Sequence, residues 1–231
     1  MDRTALRTTS AHVLVDPSVL DDPGPVILDA ETDHHLRRVV RLRAGERVGL
    51  TDGDGRWRIA TVALVGDDLL LEASTEVVAE PVGPTITVAT AMPKGDRLDW
   101  LVQKVTELGA DRIVLLHADR SVVRWKADRA DKQRARLQRI ADEACRQSRR
   151  IRRAVVEGPV EAIDVLGSYV IGEPGGRRLA ADDVDIALGP EGGWSERELD
   201  AALDRFGLGS TILRTETAAV AAIALCVAFE R

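Results

Sequence analysis

The sequence predicts two structural parts, a small β-barrel followed by an α/β domain on a mostly parallel sheet. Three observations lead there. Between His12 and Val78 the apolar residues fall in short runs, and Thr51-Asp52-Gly53-Asp54-Gly55 reads as a hairpin tip. Glu80-Pro81-Val82-Gly83-Pro84 then punctuates the chain as a linker. From Thr85 onward, β-rich runs alternate with helical spacings, which is the pattern of an α/β layer architecture. The expected domains are residues 1–79 and 80–231.

Each element has its own signal. In the first part Val26 to Leu28, Arg47 to Leu50, Trp57 to Leu64 and Leu69 to Ala73 are the strand runs. In the second, Thr85 to Ala91 is β-rich, and Arg97 to Leu108 places Leu98, Leu101, Val102, Val105 and Leu108 at helical spacing before Gly109. Arg112 to Leu116 is the next strand, and Lys132 to Arg150 is a long helix with Leu137, Ile140, Ala141, Ala144 and Cys145 on one face. Val155-Val156, Tyr169 to Ile171 and Asp185 to Leu188 are further strands. Ser195 to Phe206 is a helix whose Ser195 and Glu198 form a capping box. Ser210 to Leu213 reads as a strand. Thr217 to Phe229 is apolar nearly all round and is expected to be buried.

Composition narrows the function classes. Cys145 and Cys226 are the two cysteines, too far apart for a zinc knuckle or a disulfide framework, so reduced thiols in the cytoplasm are expected. The N-terminus has no apolar signal region, and no stretch is long and apolar enough to span a membrane. Net charge is −6, yet the arginines cluster: eight lie between Arg134 and Arg153 and seven between Arg37 and Arg58. Basic patches on an acidic body suit RNA bound at a defined place, and solvated helix and strand faces would show the same pattern. The adjacent His34 and His35 point apart on a helix, so no metal is expected there.

Neither the dinucleotide fingerprint nor the P-loop is present, so phosphate-cradling chemistry lacks its glycines. Instead Leu188-Gly189-Pro190-Glu191-Gly192-Gly193-Trp194-Ser195 carries the chain from a strand through a glycine-rich turn into a capped helix. Such backbone approaches a flat heterocycle closely, and also serves as a plain tight turn. The run Ile212-Leu213-Arg214-Thr215-Glu216-Thr217-Ala218 places a polar cluster at a strand end, where ligands of α/β sheets bind.

With those two runs the sequence resembles the bacterial 16S ribosomal RNA uracil-N3 methyltransferases of the SPOUT, or α/β-knot, superfamily. The resemblance spans nearly the whole chain and includes Lys94-Gly95-Asp96-Arg97, Gln103 to Gly109 and Glu143 to Arg150. It implies a PUA-like barrel, a C-terminal domain with a deep trefoil knot, a two-fold homodimer and S-adenosylmethionine as cofactor. Carried onto this chain, it implies a cofactor site of Ile171, Gly172, Leu188, Gly189, Pro190, Glu191, Gly192, Gly193, Ile212, Leu213, Arg214, Thr215 and Ala218. The RNA-binding residues expected are Arg37, Arg38, Arg41, Lys94, Arg97, Arg146, Arg149 and Arg150. The family usually begins its first strand near an early arginine, whereas here Met1 to Ala11 comes first, leaving Arg3 and Arg7 as alternatives.

Methylating an imide nitrogen requires loss of its proton, by a base or with cations that stabilise the anion. Arg214 and Arg150 are the candidate cations, while Glu107, Glu143 and Glu216 are the carboxylate candidates, with Glu107 taken first. Two other readings stand beside this one: a related enzyme acting on ribose 2′-OH or transfer RNA, and a non-enzymatic RNA-binding protein.

Overall fold

The computed structural model describes residues 3–65 and 68–229. They divide into two units, residues up to Gly83 with Cys145–Arg153, and Pro84–Ala144 with residues from Ala154 onward.

The first unit holds β1 (Ala11–Leu14), α1 (Pro17–Asp21), α2 (Ala30–His34), β2 (Arg47–Thr51), β3 (Arg56–Val65), β4 (Asp68–Ala73) and β5 (Val78–Ala79). The sheet runs β1-β2-β3-β4, with β5 also on β3, and only the β1–β2 pairing is parallel. Leu20, Val48, Leu50, Ala60 and Leu71 form its core. Val26 makes a single bridge to Leu71 and Ile27 is exposed, so no strand forms at Val26–Leu28; the prolines at 23 and 25 leave too little extended backbone. A π-helical turn, His35–Val40, ends at Arg41 in left-handed backbone (φ 60°).

Residues 149–153 belong to this unit through backbone and side-chain bonds. Ile151 O accepts from Thr51 Oγ1 (3.0 Å) and Gly55 N (3.0 Å), and Arg153 N donates to Gly53 O (2.8 Å). His12 is 4% exposed, with Nε2 2.8 Å from Arg150 O, so Nε2 carries the proton and Nδ1 is buried without a partner. Burial is the main reason its pKa lies near 4 rather than 6.5. The unfolded chain therefore binds a proton first as pH falls, and the stability His12 contributes, complete above pH 6.5, is lost on the way down to pH 4. At ~1.4 kcal/mol per pH unit, lowering the pH from 7 to 5 should cost about 2 kcal/mol through this residue. Urea melts should show that slope in the wild type and a correspondingly flatter one in His12→Asn. Equal slopes would remove His12 from the pH response.

The second unit holds β6 (Thr87–Ala91), α3 (Arg97–Leu108), β7 (Arg112–His117), α4 (Ala127–Ser148, of which Cys145 onward counts with the first unit), β8 (Val155–Glu161), α5 (Ala162–Val165), β9 (Val170–Arg177), β10 (Asp185–Leu188), α6 (Glu196–Ala201), β11 (Asp204–Phe206) and α7 (Thr215–Phe229). Its six strands lie in the order β11-β9-β10-β6-β7-β8 and every pairing is parallel. Every residue of β6 is buried, as befits a strand covered on both faces.

Several boundaries differ from expectation, each for a local reason. α4 stops at Ser148 because Arg149 adopts left-handed backbone (φ 60°) with its N–H on Arg146 O. β8 continues through Gly158-Pro159, which the sheet edge tolerates. α6 ends at Ala201 because Leu203 N turns onto Leu166 O and Tyr169 O, after which Asp204–Phe206 joins β9. The strand expected at Ser210–Leu213 is absent; β11 already occupies that edge, and Ile212 is 79% exposed. α7 buries Ala219, Ala222, Ile223 and Cys226 but leaves Ala224, Leu225 and Ala228 exposed, so it is one-sided rather than fully buried.

Candidate active site

In a parallel sheet the strand C-termini share one end; there β10 runs out into a glycine-bearing turn, and β9 bulges through Gly172, Gly175 and Gly176. Between them and the segment leading to α7 lies a cleft of about 740 Å³, counted out to its open mouth.

Two hydrogen bonds and a close contact join the segments. Trp194, 3% exposed, donates Nε1–H to Gly172 O (3.1 Å), tying β9 to the turn after β10. A Cβ on Gly189 would stand 3.0–3.2 Å from three indole atoms of Trp194, so the backbone lies flat against that ring. Thr215 Oγ1 donates to Gly189 O (2.8 Å), which brings in the first turn of α7. Beyond the turn, Ser195 and Glu198 form the expected capping box. Ser195 and Arg197 also bond Asp119, whose carboxyl is held well below the usual range by those donors. Arg120 Nη1 donates to Gly192 O (3.1 Å) from the outer side of the turn.

Of the expected cofactor residues, Gly172, Leu188, Gly189, Pro190, Glu191, Gly193, Ile212, Leu213, Thr215 and Ala218 line the cleft. Ile171, Gly192 and Arg214 do not. Ile171 is 0% exposed in the core, Gly192 packs on Arg120, and Arg214 points into solvent. Sequence reasoning missed Glu173, Pro174, Trp194, Phe206, Leu208, Gly209 and Thr211, which also line it. The signal for two of these was present: Glu173-Pro174-Gly175-Gly176, in the bulged middle of β9, has the same composition as Pro190 to Gly193.

The lining has one electrostatic sign. Glu173 and Glu191 are its ionisable residues, with no Lys, Arg or His among them. At its edge Arg97 bridges Glu191 Oε1 (3.1 Å) and Glu216 Oε1 (3.7 Å). Arg97 is therefore engaged by two carboxylates, where an RNA contact was expected. Glu107 accepts on both oxygens from Lys104 Nζ (2.9 and 2.8 Å). Arg150 is 9% exposed and belongs to the first unit, as do Arg146 and Arg149; Arg149 donates to Thr9 O (3.0 Å). Arg37 is paired with Asp33, whereas Arg38, Arg41 and Lys94 are exposed. Arg3 lies 3.6 Å from Glu80, and Arg7 is exposed.

Residues 80–227 match the RNA methyltransferase domain family, and residues 28–71 match the RNA methyltransferase PUA domain family. Over 227 residues the chain is 33% identical to Ribosomal RNA small subunit methyltransferase E of Mycobacterium tuberculosis, covering 88% of this chain and 87% of that protein. It is 31% identical to the protein of that name from Bacillus subtilis, covering 85% and 87%. Among solved structures it is similar to Ribosomal RNA small subunit methyltransferase E of Neisseria gonorrhoeae bound to S-adenosyl methionine. The TM-score is 0.76 and the identity 28%, covering 93% of this chain and 94% of that one. A Legionella pneumophila chain at 24% identity and TM-score 0.78, covering 94% and 96%, shares the fold.

Proposed function

The chain belongs to the RNA methyltransferase family in which this domain accompanies a PUA domain, and on that premise we propose that it methylates N3 of a specific uridine in 16S ribosomal RNA with S-adenosylmethionine. The observation that carries the reading is the cleft itself: glycine backbone, an indole wall and two carboxylates in the lining, Glu173 and Glu191, the latter paired with Arg97 at the edge. Such a lining suits a donor whose sulfonium and ammonium outweigh its one carboxylate, and disfavours a nucleotide phosphate, which seeks arginine or lysine.

The cofactor, when bound, supplies an electrophilic methyl group on a good leaving group, and the chemistry needs no metal. Gly189, Gly193 and the segment Leu208–Leu213 hold it through backbone; among the described residues that segment makes no hydrogen bond of its own. Trp194 and Leu188 exclude water from one wall. Arg214, exposed beside the lining Leu213 and Thr215, serves as the cation for the ionised base. Arg38, Arg41 and Lys94 meet phosphates.

The reading includes a trefoil knot, a homodimer and a cytoplasmic setting. Strand β6 lies between β10 and β7, with α7 against α3, an arrangement that supports a chain returning past its own first crossing. The exposed Ala224, Leu225 and Ala228 of α7, with Trp100 of α3 44% exposed, give a second copy an apolar face. Sedimentation equilibrium reads that association directly. No helix among the described residues is long and apolar enough to cross a membrane.

The test has two arms. S-adenosylhomocysteine at one hundred times its Kd should stabilise the protein by about 2.7 kcal/mol, roughly 5–10 °C in melting temperature. Mass mapping of small-subunit RNA from a deletion strain should lose one methyl on a uracil base. An unshifted melting curve at millimolar ligand would dismiss the cofactor, and a methyl lost from a ribose would dismiss the base as target.

A further inference from the structure

Glu216 is 7% exposed in the first turn of α7, between the pocket residues Thr215 and Ala218. Its Oε1 lies 3.7 Å from Arg97, while its Oε2 is buried without a hydrogen-bond partner. An acceptor stripped of water and left unpaired costs stability and calls for an explanation, and beside the cleft a bound molecule supplies one. The other carboxylates are differently placed. Glu107 has both oxygens on Lys104, Glu191 is exposed beside Arg97, Glu143 stands exposed on α4, and Glu173 of the cleft lining is only half-buried. One guanidinium connects Glu191 of the cleft lining to Glu216, so the orphaned carboxylate is one side chain away from the cleft.

We propose that Glu216 is a catalytic residue, the acceptor of the N3 proton from the target uracil, with Arg97 holding its carboxylate in place. The inference rests on the N3 methyl transfer given above. The proton passes from N3 to Oε2 and the N–H electron pair stays on N3. That pair forms the new N–CH3 bond, while the S–CH3 pair returns to sulfur, leaving a neutral thioether. The protonated carboxyl then releases its proton to solvent after product leaves.

Glu216→Gln keeps the shape of the side chain and removes its basicity. The test compares both proteins on small subunits reconstituted with uridine RNA or with 5-fluorouridine RNA, whose N3–H is more acidic. Calorimetry with S-adenosylhomocysteine and filter binding of the RNA run alongside. The variant should bind both ligands within about threefold of wild type and lose roughly 100-fold or more in single-turnover rate on uridine RNA at neutral pH. It should recover at least about tenfold on fluorouridine RNA, and its rate should climb with pH where the wild type is flat. A wild-type rate in the variant, an equal loss on both RNAs at every pH, or a loss tracking ligand affinity would each overturn the assignment. The parent reading fails separately, if wild-type enzyme places its methyl elsewhere than N3.

Discussion

Trp194→Ala should abolish useful cofactor binding and take about 3–5 kcal/mol from stability, because one indole serves both the core and the cleft. The ring is 3% exposed and packs with Ala89, Val114, Ile171 and Ala187 beneath the strand ends. Deleting it leaves a cavity that a parallel sheet cannot easily close, since strand spacing is set by backbone hydrogen bonds. The melting temperature should fall on the order of 10 °C for a chain of this size. Above the core the loss is of a different kind. Gly172 O loses its donor and Gly189 loses the surface it lies on. The cleft then no longer stands preformed, and the ligand must order it. We expect the Kd for S-adenosylhomocysteine to rise at least about 100-fold, a cost of ~2.7 kcal/mol. Trp194→Phe separates the two roles. It keeps most of the volume but lacks the N–H, so it should melt close to wild type and lose about tenfold in affinity. If the alanine variant, measured while fully folded, binds within threefold of wild type, the indole does not hold the cleft together.

The same ring shows where sequence reading reaches and where it stops. The helical spacing of Leu98 to Val105 and the solid apolar run of β7 locate α3 and a central strand, because burial against a flat layer imposes a period that composition reveals. The capping box at Ser195 is legible for the same reason, being a contact between neighbours in sequence. The Gly189 to Gly193 turn is visible as a glycine cluster, but the partner that presses on it, Arg120 on one side and Gly172 through Trp194 on the other, comes from distant segments. Leu208 to Leu213 misleads for a related reason. Its apolar residues belong to a cleft wall, and a wall of a ligand site has the composition of a strand without its ladder. Arg97 stands among the expected RNA contacts because the resemblance places it there; only the folded positions of Glu191 and Glu216 reveal that it faces two carboxylates of its own chain.

Gly175 and Gly176 look interchangeable in sequence, and their alanine variants should behave very differently. Gly175 sits at φ 84° with nothing within 4 Å of a built Cβ. Alanine there meets only backbone strain, about 1–2 kcal/mol. At Gly176 a Cβ would lie 2.5 Å from Phe206 C and 2.7 Å from its Cα and N. Backbone cannot swing aside as a side chain can, so β11 must leave β9. The pairing there already shifts register between Arg205 and Phe206, where the chains approach most closely. Displacing β11 extracts Phe206, which is 0% exposed, and moves Leu208 and Gly209 with it. Gly176→Ala should therefore lose roughly 3 kcal/mol or more, in line with overpacking against an unyielding neighbour, and cofactor affinity should fall with it. Urea midpoints give the first quantity, and hydrogen exchange at the amides of residues 204–207 shows whether this edge opens ahead of the rest. Equal midpoints for the two alanine variants would mean that the β9–β11 contact yields without cost, and the cleft wall it carries would then be softer than its geometry implies.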